Sequence, residues 1–431
     1  MKRRIALVVP AFPKLSETFI VSKFMGLLER GWDVHVVCST SEEKEWARFP
    51  QLPAGARKRV HRGWPHRPKW KAALLLPFAV MACFQAAPGR TWRYLRQARH
   101  REGLLEALGR LYLDLPLIRL GPDVVHFEFG ALATERMDLR ELLGCRITVS
   151  FRGYDLNFVG LDQPGYFDAV WAGAAGLHFL GEDLWRRARR RGCPPDRFHM
   201  LIPPAIDVEF HKRDEAELSR KSEGSRPLRI LSVGRLEWKK GYENALLAIR
   251  RLLDRGVACE YRIVGDGDYL PAVAFMRRQL VLEGVVEVLG ALPREDVRQE
   301  MQSADVLLHS AVSEGFCNAV IEAQSMELPV VCTDADGLRE NVADGETGFV
   351  VPRRDPEALA AKLEVLARDP ALRQRMGKAG RKRVLMNFRL SDQLDRLEDF
   401  YRQVLNGVRA DAGREESAEP PPKAARSAVR T

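Results

Sequence analysis

Two glutamates carry the first chemical signal in the sequence. Glu314 and Glu322 lie in DVLLHSAVSEGFCNAVIEA, Asp305 to Ala323, at the spacing E-x7-E. The apolar run Val306-Leu307-Leu308, led in by Asp305, reads as a buried strand. The loop Ser310 to Cys317 holds Glu314 and Gly315. A helical pattern begins near Asn318, with Val320, Ile321 and Met326 on its apolar side. Open α/β sheets bind ligands at the carboxyl ends of their strands. A helix start offers free backbone N–H groups to an anion such as a phosphate. Two acids across such a junction can hold hydroxyl groups on either side of that phosphate. Taken alone, the pair reads more readily as a turn acid and a solvated helix position.

A second cluster lies upstream of the first. Leu228 to Val233 reads as a strand, followed by GRLEWKKG, Gly234 to Gly241, and a helix with Ala245, Leu246 and Ile249 in register. Strand, glycine turn and cations at a helix start form a clamp for a diphosphate, with Arg235 and Lys240 as its charges. Lys239 is expected in solvent.

SEGFCNAVIEA resembles the E-x7-E signature of glycosyltransferase family 4, and GRLEWKKG resembles that family's Gly-Arg-Leu-x-x-x-Lys-Gly element. The resemblance implies the GT-B fold: α/β, two Rossmann-like domains facing a cleft, with the C-terminal helix crossing back to the first domain. It implies a retaining transferase that moves a sugar from a nucleoside-diphosphate sugar to an acceptor hydroxyl. Glu314 would then contact the donor sugar and Glu322 the ribose. Gly315, Phe316, Cys317 and Asn318 would face the sugar and diphosphate, and Arg235 and Lys240 the phosphates. Leu292, in the loop after Val285 to Leu289, would cup the base. Cys317 stands where proline is frequent. Family members are thought to react on the front face, with the leaving phosphate taking the acceptor's proton, so no catalytic base is assigned.

The elements that must position these residues can be read in order. Arg4 to Pro10 and Asp33 to Cys38 read as strands flanking a helix with Phe19, Ile20, Phe24, Leu27 and Leu28 on one face. The loop FPKLSETF resembles the colanic-acid and exopolysaccharide subgroup. Ser16 in it is a helix N-cap, alone or together with a ligand contact. Asp123 to His126 and Arg146 to Phe151 are further strands, leading into His126-Phe127-Glu128 and Arg152-Gly153-Tyr154-Asp155. The family commonly has His-x-His and His-Gly-x-Asp there, so Glu128 and Arg152 each replace a histidine. By resemblance His126 and Arg152 contact substrate. Arg152 has a second reading, a salt bridge to Asp155, and His126 a second reading as a satisfied strand-end residue. PPAIDVEF at 203–210 closes the first domain.

The implied domains are residues 1–211 on the acceptor side, a linker at 212–227 and a nucleotide-sugar domain at 228–384. Helices at 385–405 return to the first domain, and a tail at 406–431 reads as disordered. Asp334-Ala335-Asp336 is formally a DxD, a metal motif in GT-A enzymes. Here it falls at the family's Gly-Gly-x-x-Glu loop, with Asp336 for the first glycine and Glu340 for the glutamate. The expectation is no metal and no cofactor, Arg235 and Lys240 supplying the positive charge.

Composition narrows the classes. The 431 residues suffice for two domains, and 46% hydrophobic with 29% charged residues describes a globular chain. Seven scattered cysteines without a CxxC argue for a reducing compartment and against a zinc site. No apolar run reaches a signal-peptide core or a membrane span. Residues 1–100 hold 19 Lys or Arg against 6 Asp or Glu, a net of +13, while the whole chain carries +10, so the remainder is at −3. The excess centres on 41–105. There RKRVHRGWPHRPKWK, Arg57 to Lys71, precedes the apolar stretch Ala72 to Ala87. An anionic membrane surface, a core helix and nucleic acid all suit such a stretch, the last least, and we expect no nucleic-acid partner. The expected protein is a cytoplasmic hexosyltransferase, peripheral on the inner face of the cell membrane, acting on a glycan or polyprenyl-linked acceptor in exopolysaccharide synthesis. A GT-B sugar-nucleotide epimerase and a non-catalytic membrane scaffold are the alternatives.

Overall fold

The computed structural model describes residues 3–14, 17–64, 68–214 and 226–407. Ser16, most of the expected linker and the tail from 408 lie outside the described residues.

The first seven strands form one parallel sheet in the order β3-β2-β1-β4-β5-β6-β7. They are β1 (Arg4–Ala11), β2 (Asp33–Thr40), β3 (Val60–Arg62), β4 (Val124–Phe127), β5 (Arg146–Phe151), β6 (Gly176–Phe179) and β7 (His199–Leu201). A parallel sheet carries helices on both faces, so its strands are apolar on both. In β1, Ile5, Leu7 and Val9 turn to one face and pack with Phe24 of helix α1 (Thr18–Glu29). Ala6 turns to the other, where Val125, Phe127, Val149 and Phe151 build the larger core cluster. β3 lies inside the basic run, where its charges hid it from a reading based on apolar residues.

The segment after β3 is helical to Leu120: α2 (Lys69–Ala86), α3 (Pro88–Glu102) and α4 (Leu104–Leu120). It extends beyond residue 105, where the change in rhythm was expected to end. In α2 only Ala79 and Cys83 are buried, while Trp70, Leu74, Phe78 and Met81 are exposed. Those four recur at helical spacing and form one outward apolar face. Among the described residues no helix is long and apolar enough to cross a membrane.

The second sheet has six parallel strands in the order β10-β9-β8-β11-β12-β13. They are β8 (Leu228–Val233), β9 (Cys259–Val264), β10 (Val286–Gly290), β11 (Val306–His309), β12 (Val330–Thr333) and β13 (Gly348–Val351). Helix α5 (Tyr242–Asp254) and helix α6 (Asn318–Ser325) follow β8 and β11. All seven cysteines are buried and unpaired.

The chain ends by crossing back. Helix α7 (Pro370–Asn387) packs on α6, and helix α8 (Leu390–Asn406) enters the first domain. There Leu394, Leu397, Phe400, Tyr401 and Val404 join the cluster of Ile5, Leu7 and Phe24. Phe400 is fully buried. Phe400→Ala should therefore cost the first domain about 3–5 kcal/mol, the usual loss for an aromatic truncated in a core. Denaturant unfolding monitored by tryptophan fluorescence would measure it, and a loss under about 1 kcal/mol would contradict the docking of α8.

Candidate functional site

The two sheets present their carboxyl edges to a shared cleft. The loop after β5 brings Arg152, Gly153 and Tyr154 to it, and the loop after β11 brings Ser313 to Cys317. Gly153 and Gly315 touch: a Cβ built on Gly153 would stand 2.7 Å from the Gly315 nitrogen, and one on Gly315 2.7 Å from the Gly153 Cα. Any larger residue at either point would push the loops apart.

Beside this contact a cavity is lined by Phe19, Phe129, Arg152 and Tyr154 from the first domain. From the second come Arg235, Lys239, Lys240, Glu314, Gly315, Phe316, Cys317 and Asn318. Glu314 points its carboxylate at Lys240 Nζ, with His309 Nε2 at 3.5 Å. Burial by itself would raise the Glu314 pKa, but Lys240 and His309 outweigh it and hold it at about 2. His309 is shifted the opposite way. Burial opposes its charge, yet Cys317 and Glu314 lift it above the usual imidazole range.

Arg235 is half-exposed and 2.5 Å from Glu237, whose other oxygen holds Lys239 at 2.8 Å. Lys239 is thus paired and largely covered, not in free solvent as expected. Its backbone carbonyl also accepts from Val312 N at 2.8 Å.

Across the cleft, Arg152 lies on the Phe19 ring at 3.8 Å. Its Nε donates to the Glu128 carbonyl at 3.2 Å and its Nη2 to Glu128 Oε2 at 3.0 Å. The partner is Glu128 and not Asp155, because the Asp155 carboxylate is taken by the backbone N–H groups of Arg152 and Ala131. Glu128 is fully buried and held on its other oxygen by Lys23 Nζ at 2.8 Å. Burial would raise its pKa; Lys23 leads the charges that keep it well below the ordinary carboxylate range.

His126 does not line the cleft. It is fully buried. Its Nδ1 meets Thr148 Oγ1 at 2.8 Å, and its Nε2 meets Lys23 Nζ and Ser150 Oγ at 2.9 Å each. Burial, with Lys23, brings its pKa to about 4, so it stays neutral at pH 7. It lies inside β4, paired with Leu7 and Thr148 on the neighbouring strands, and so does not clear the sheet edge. Glu322 lies deeper along α6, beside His211 Nε2 at 3.9 Å, and Leu292 packs half-buried on the core under the second sheet; neither lines the cavity. The Cys317 N–H is taken by Asn341 Oδ1 at 3.2 Å. The DxD carboxylates are engaged by arginines, Asp334 by Arg353 and Arg339, and Asp336 by Arg187 and Arg353. Among the described residues, His309, Glu314 and Cys317 bring one potential metal-ligand atom each within 4.8 Å of one another.

The family model described as Glycosyl transferases group 1 matches residues 214–383. The putative colanic acid biosynthesis glycosyltransferase WcaL of Salmonella typhimurium is 29% identical over 386 residues, 83% of this chain and 89% of that one. The amylovoran biosynthesis glycosyltransferase AmsK of Erwinia amylovora is 27% identical, over 84% of this chain and 89% of its own. The second domain of this chain is thus similar to the group 1 glycosyl transferases, and nearly the whole chain to the two exopolysaccharide enzymes. Its fold is GT-B. Sucrose-phosphate synthase from Thermosynechococcus elongatus superposes with a TM-score of 0.71 at 18% identity, covering 94% of this chain and all of that one. Anabaena HepE in complex with UDP-glucose gives 0.71 at 15%, covering 93% and 99%.

Lys23 and His309 carry this transferase's buried charge and were missed in the sequence. Lys23 had a signal: it interrupts the apolar side of α1, one turn from Ile20 and from Leu27. The depressed pKa of Glu314 has a consequence for pH. Its ionised form stabilises the fold fully above its ordinary value of 4.5, and that contribution is lost as pH falls through about 2. The denaturation midpoint of the parent should therefore fall more between pH 5 and pH 3 than that of Glu314→Gln. Parallel pH curves would contradict the pairing.

Proposed function

We propose that this glycosyltransferase is a retaining hexosyltransferase. Its donor, a nucleoside-diphosphate sugar, lies against the second domain, and its acceptor against the first. The observation that carries the reading is the cavity at the Gly153–Gly315 contact, where Glu314, Lys240, Arg235 and Arg152 converge. In this reading the diphosphate meets Arg235, Lys240 and the start of α6. Preorganised cations stabilise the charge that develops on a leaving phosphate. We assign no metal to this role, because the two cations already stand where that charge appears. Glu314 faces the sugar, and its low pKa keeps it an acceptor of hydroxyl protons at neutral pH. Arg152, stacked on Phe19, faces the sugar from the acceptor side. Glu322 takes the ribose hydroxyls, a role that needs the nucleoside to reach along α6. The acceptor is a glycan or lipid-linked glycan of an exopolysaccharide pathway, supported by the likeness to WcaL and AmsK.

The two phosphate cations differ in how they can be tested. Arg235 is held by an exposed pair worth at most about 1 kcal/mol, so it can swing to a phosphate at small cost. Lys240 is largely covered and paired with Glu314, and its removal strands the carboxylate of Glu314 without its closest cation. Arg235→Ala is therefore the clean probe. It should weaken nucleoside-diphosphate binding by about 2 kcal/mol, with the bare nucleoside unaffected. Glu314→Gln should cut turnover on the order of a hundredfold. Calorimetry with UDP, GDP and ADP, and steady-state rates with their sugars, measure both. An equal loss of nucleoside binding in Arg235→Ala, or parental turnover in Glu314→Gln, would refute the assignments.

We further propose a peripheral association with the cytoplasmic face of an anionic membrane. The apolar face of α2, with Trp70, Leu74, Phe78 and Met81 exposed, is continued by exposed Leu105 and Leu113 of α4. Lys58, Arg62, Lys69 and Lys71 stand exposed nearby in sequence. Each such cation adds about 1 kcal/mol near an anionic surface. The expected outcome is co-sedimentation with anionic and not neutral vesicles, weakened by salt and by neutralising Lys58, Lys69 and Lys71. Equal binding to both vesicle types would reject it.

A further inference from the structure

Asp336 was read in the sequence only as the second acid of a DxD and as a replacement for glycine. Its backbone does lie in the left-handed region, at φ 49°. That region is unfavourable for a residue with a Cβ, and such a conformation persists where surrounding contacts hold it. The contacts here come from both domains and meet on one buried carboxylate.

From the first domain, Arg187 Nη2 donates to Oδ1 at 2.6 Å and Asn157 Nδ2 to Oδ2 at 3.0 Å. From the second, Oδ2 also accepts from Ser313 Oγ at 2.7 Å and from the Glu314 backbone N–H at 3.1 Å. Arg353 Nη1 stands 3.3 Å from Oδ1. The next residue completes the hold, since Gly337 N–H donates to the Glu314 carbonyl at 3.0 Å. Gly337 has no room for a side chain, because a Cβ there would lie 2.0 Å from the Gly315 oxygen. Both backbone polar groups of Glu314 are thus fixed by the step 336–337. Arg187 is itself aimed by Asp183 at 2.6 Å and by Asn157 Oδ1 at 3.2 Å.

We propose that Asp336 is a positioning residue that couples closure of the cleft to the setting of the Glu314 loop. With the domains together, one carboxylate satisfies Arg187 and Asn157 across the cleft while it holds Ser313 and Glu314 in place. With the domains apart, it loses an ion pair with Arg187 and a hydrogen bond from the Asn157 amide, and the loop keeps only the donors of its own domain. A cleft that must exclude water and align donor with acceptor gains from such a link, since the reactive loop is set only when both halves are present. A glycine at this position would suit the backbone better and could form none of these bonds. This inference rests on the role proposed above for Glu314, and deepens it.

The alternative is a purely local brace, in which Asp336 supports the loop and Arg187 is dispensable. Arg187→Gln, Arg187→Lys, Asp336→Asn and the double variant Arg187→Gln/Asp336→Asn separate the two. Three measurements are made on the full chain. They are release of nucleoside diphosphate from a panel of UDP-, GDP- and ADP-sugars, calorimetric binding of UDP, GDP and ADP, and small-angle scattering with and without the diphosphate that binds. The expected result is a tenfold or larger fall in kcat for Arg187→Gln and for Asp336→Asn, with nucleoside-diphosphate Kd within about twofold of the parent. The double variant should be no slower than the worse single one, as linked partners behave. Arg187→Lys should recover part of the rate, and the compaction seen on binding should shrink in Arg187→Gln. Parental kcat in Arg187→Gln, or kcat losses that multiply in the double variant, would overturn the proposal. If Asp336→Asn does not fold, the two Arg187 variants decide alone. If Glu314→Gln turns over normally, the functional reading fails, and undiminished compaction in Arg187→Gln would separately refute the clasp.

Discussion

The structure turns on a single approach of backbone to backbone. Gly153 and Gly315 meet with no space for a side chain, and each is preceded by the residue that faces the cavity, Arg152 and Glu314. The contact therefore fixes the distance between a cation of the first domain and an acid of the second without using either side chain. Everything around it serves this spacing. β5 and β11 deliver the two loops, both from carboxyl ends of parallel strands. Asn157 and Ser313 then bond across the same seam at 3.0 Å.

Charge is arranged on two levels behind that seam. Near the cleft, cations wait in pairs that differ in depth. Arg235 and Glu237 are wet and exchangeable, while Lys240 and Glu314 are largely covered. Further back, Lys23, Glu128 and Arg152 form a chain in which one fully buried carboxylate serves two cations. A charge buried without a partner costs several kcal/mol, so each member stabilises the placement of the next. The histidines His126 and His178 fill the remaining space as neutral groups, burial holding their pKa values at about 4 and about 3. Glu128 in place of a histidine therefore changes what a relative's histidine pair could do: it converts a polar strand end into an anchor for a guanidinium.

The strands and the site were legible to different degrees, for physical reasons. Parallel strands buried on both faces are nearly unbroken apolar runs, so β5 and β8 were readable to the residue. β3 was not, since an edge strand of three residues in a basic run offers no apolar signal. Glu314, Lys240 and Arg235 were legible because their spacing is tied to strand ends and helix starts. Of the two readings of His126, the structure agrees with the satisfied strand-end residue; sequence order could not choose, because it does not say which residue of a strand end clears the sheet. The partner of Arg152 was missed for a related reason. Asp155 is close in sequence, but its carboxylate is already spent on backbone N–H groups, while Glu128 arrives from a neighbouring strand 24 positions away. Asp336 was seen as a motif and not as a junction, because its donors come from four separate segments.

The return of helix α8 also shapes how the chain is born. Its apolar face completes the cluster around Ile5, Leu7 and Phe24, which lies at the other end of the sequence. During synthesis the first strands leave the ribosome long before Phe400 and Tyr401 exist. Helix α1 covers part of that face early, but the share that belongs to α8 waits while the second domain is made. Domains usually fold as units in the order they emerge; this one cannot finish until α8 has been made. A chain stopped short of α8 therefore exposes the apolar surface that Leu394, Leu397, Phe400, Tyr401 and Val404 cover in the finished fold. Truncation anywhere before residue 400 would leave that surface permanently open.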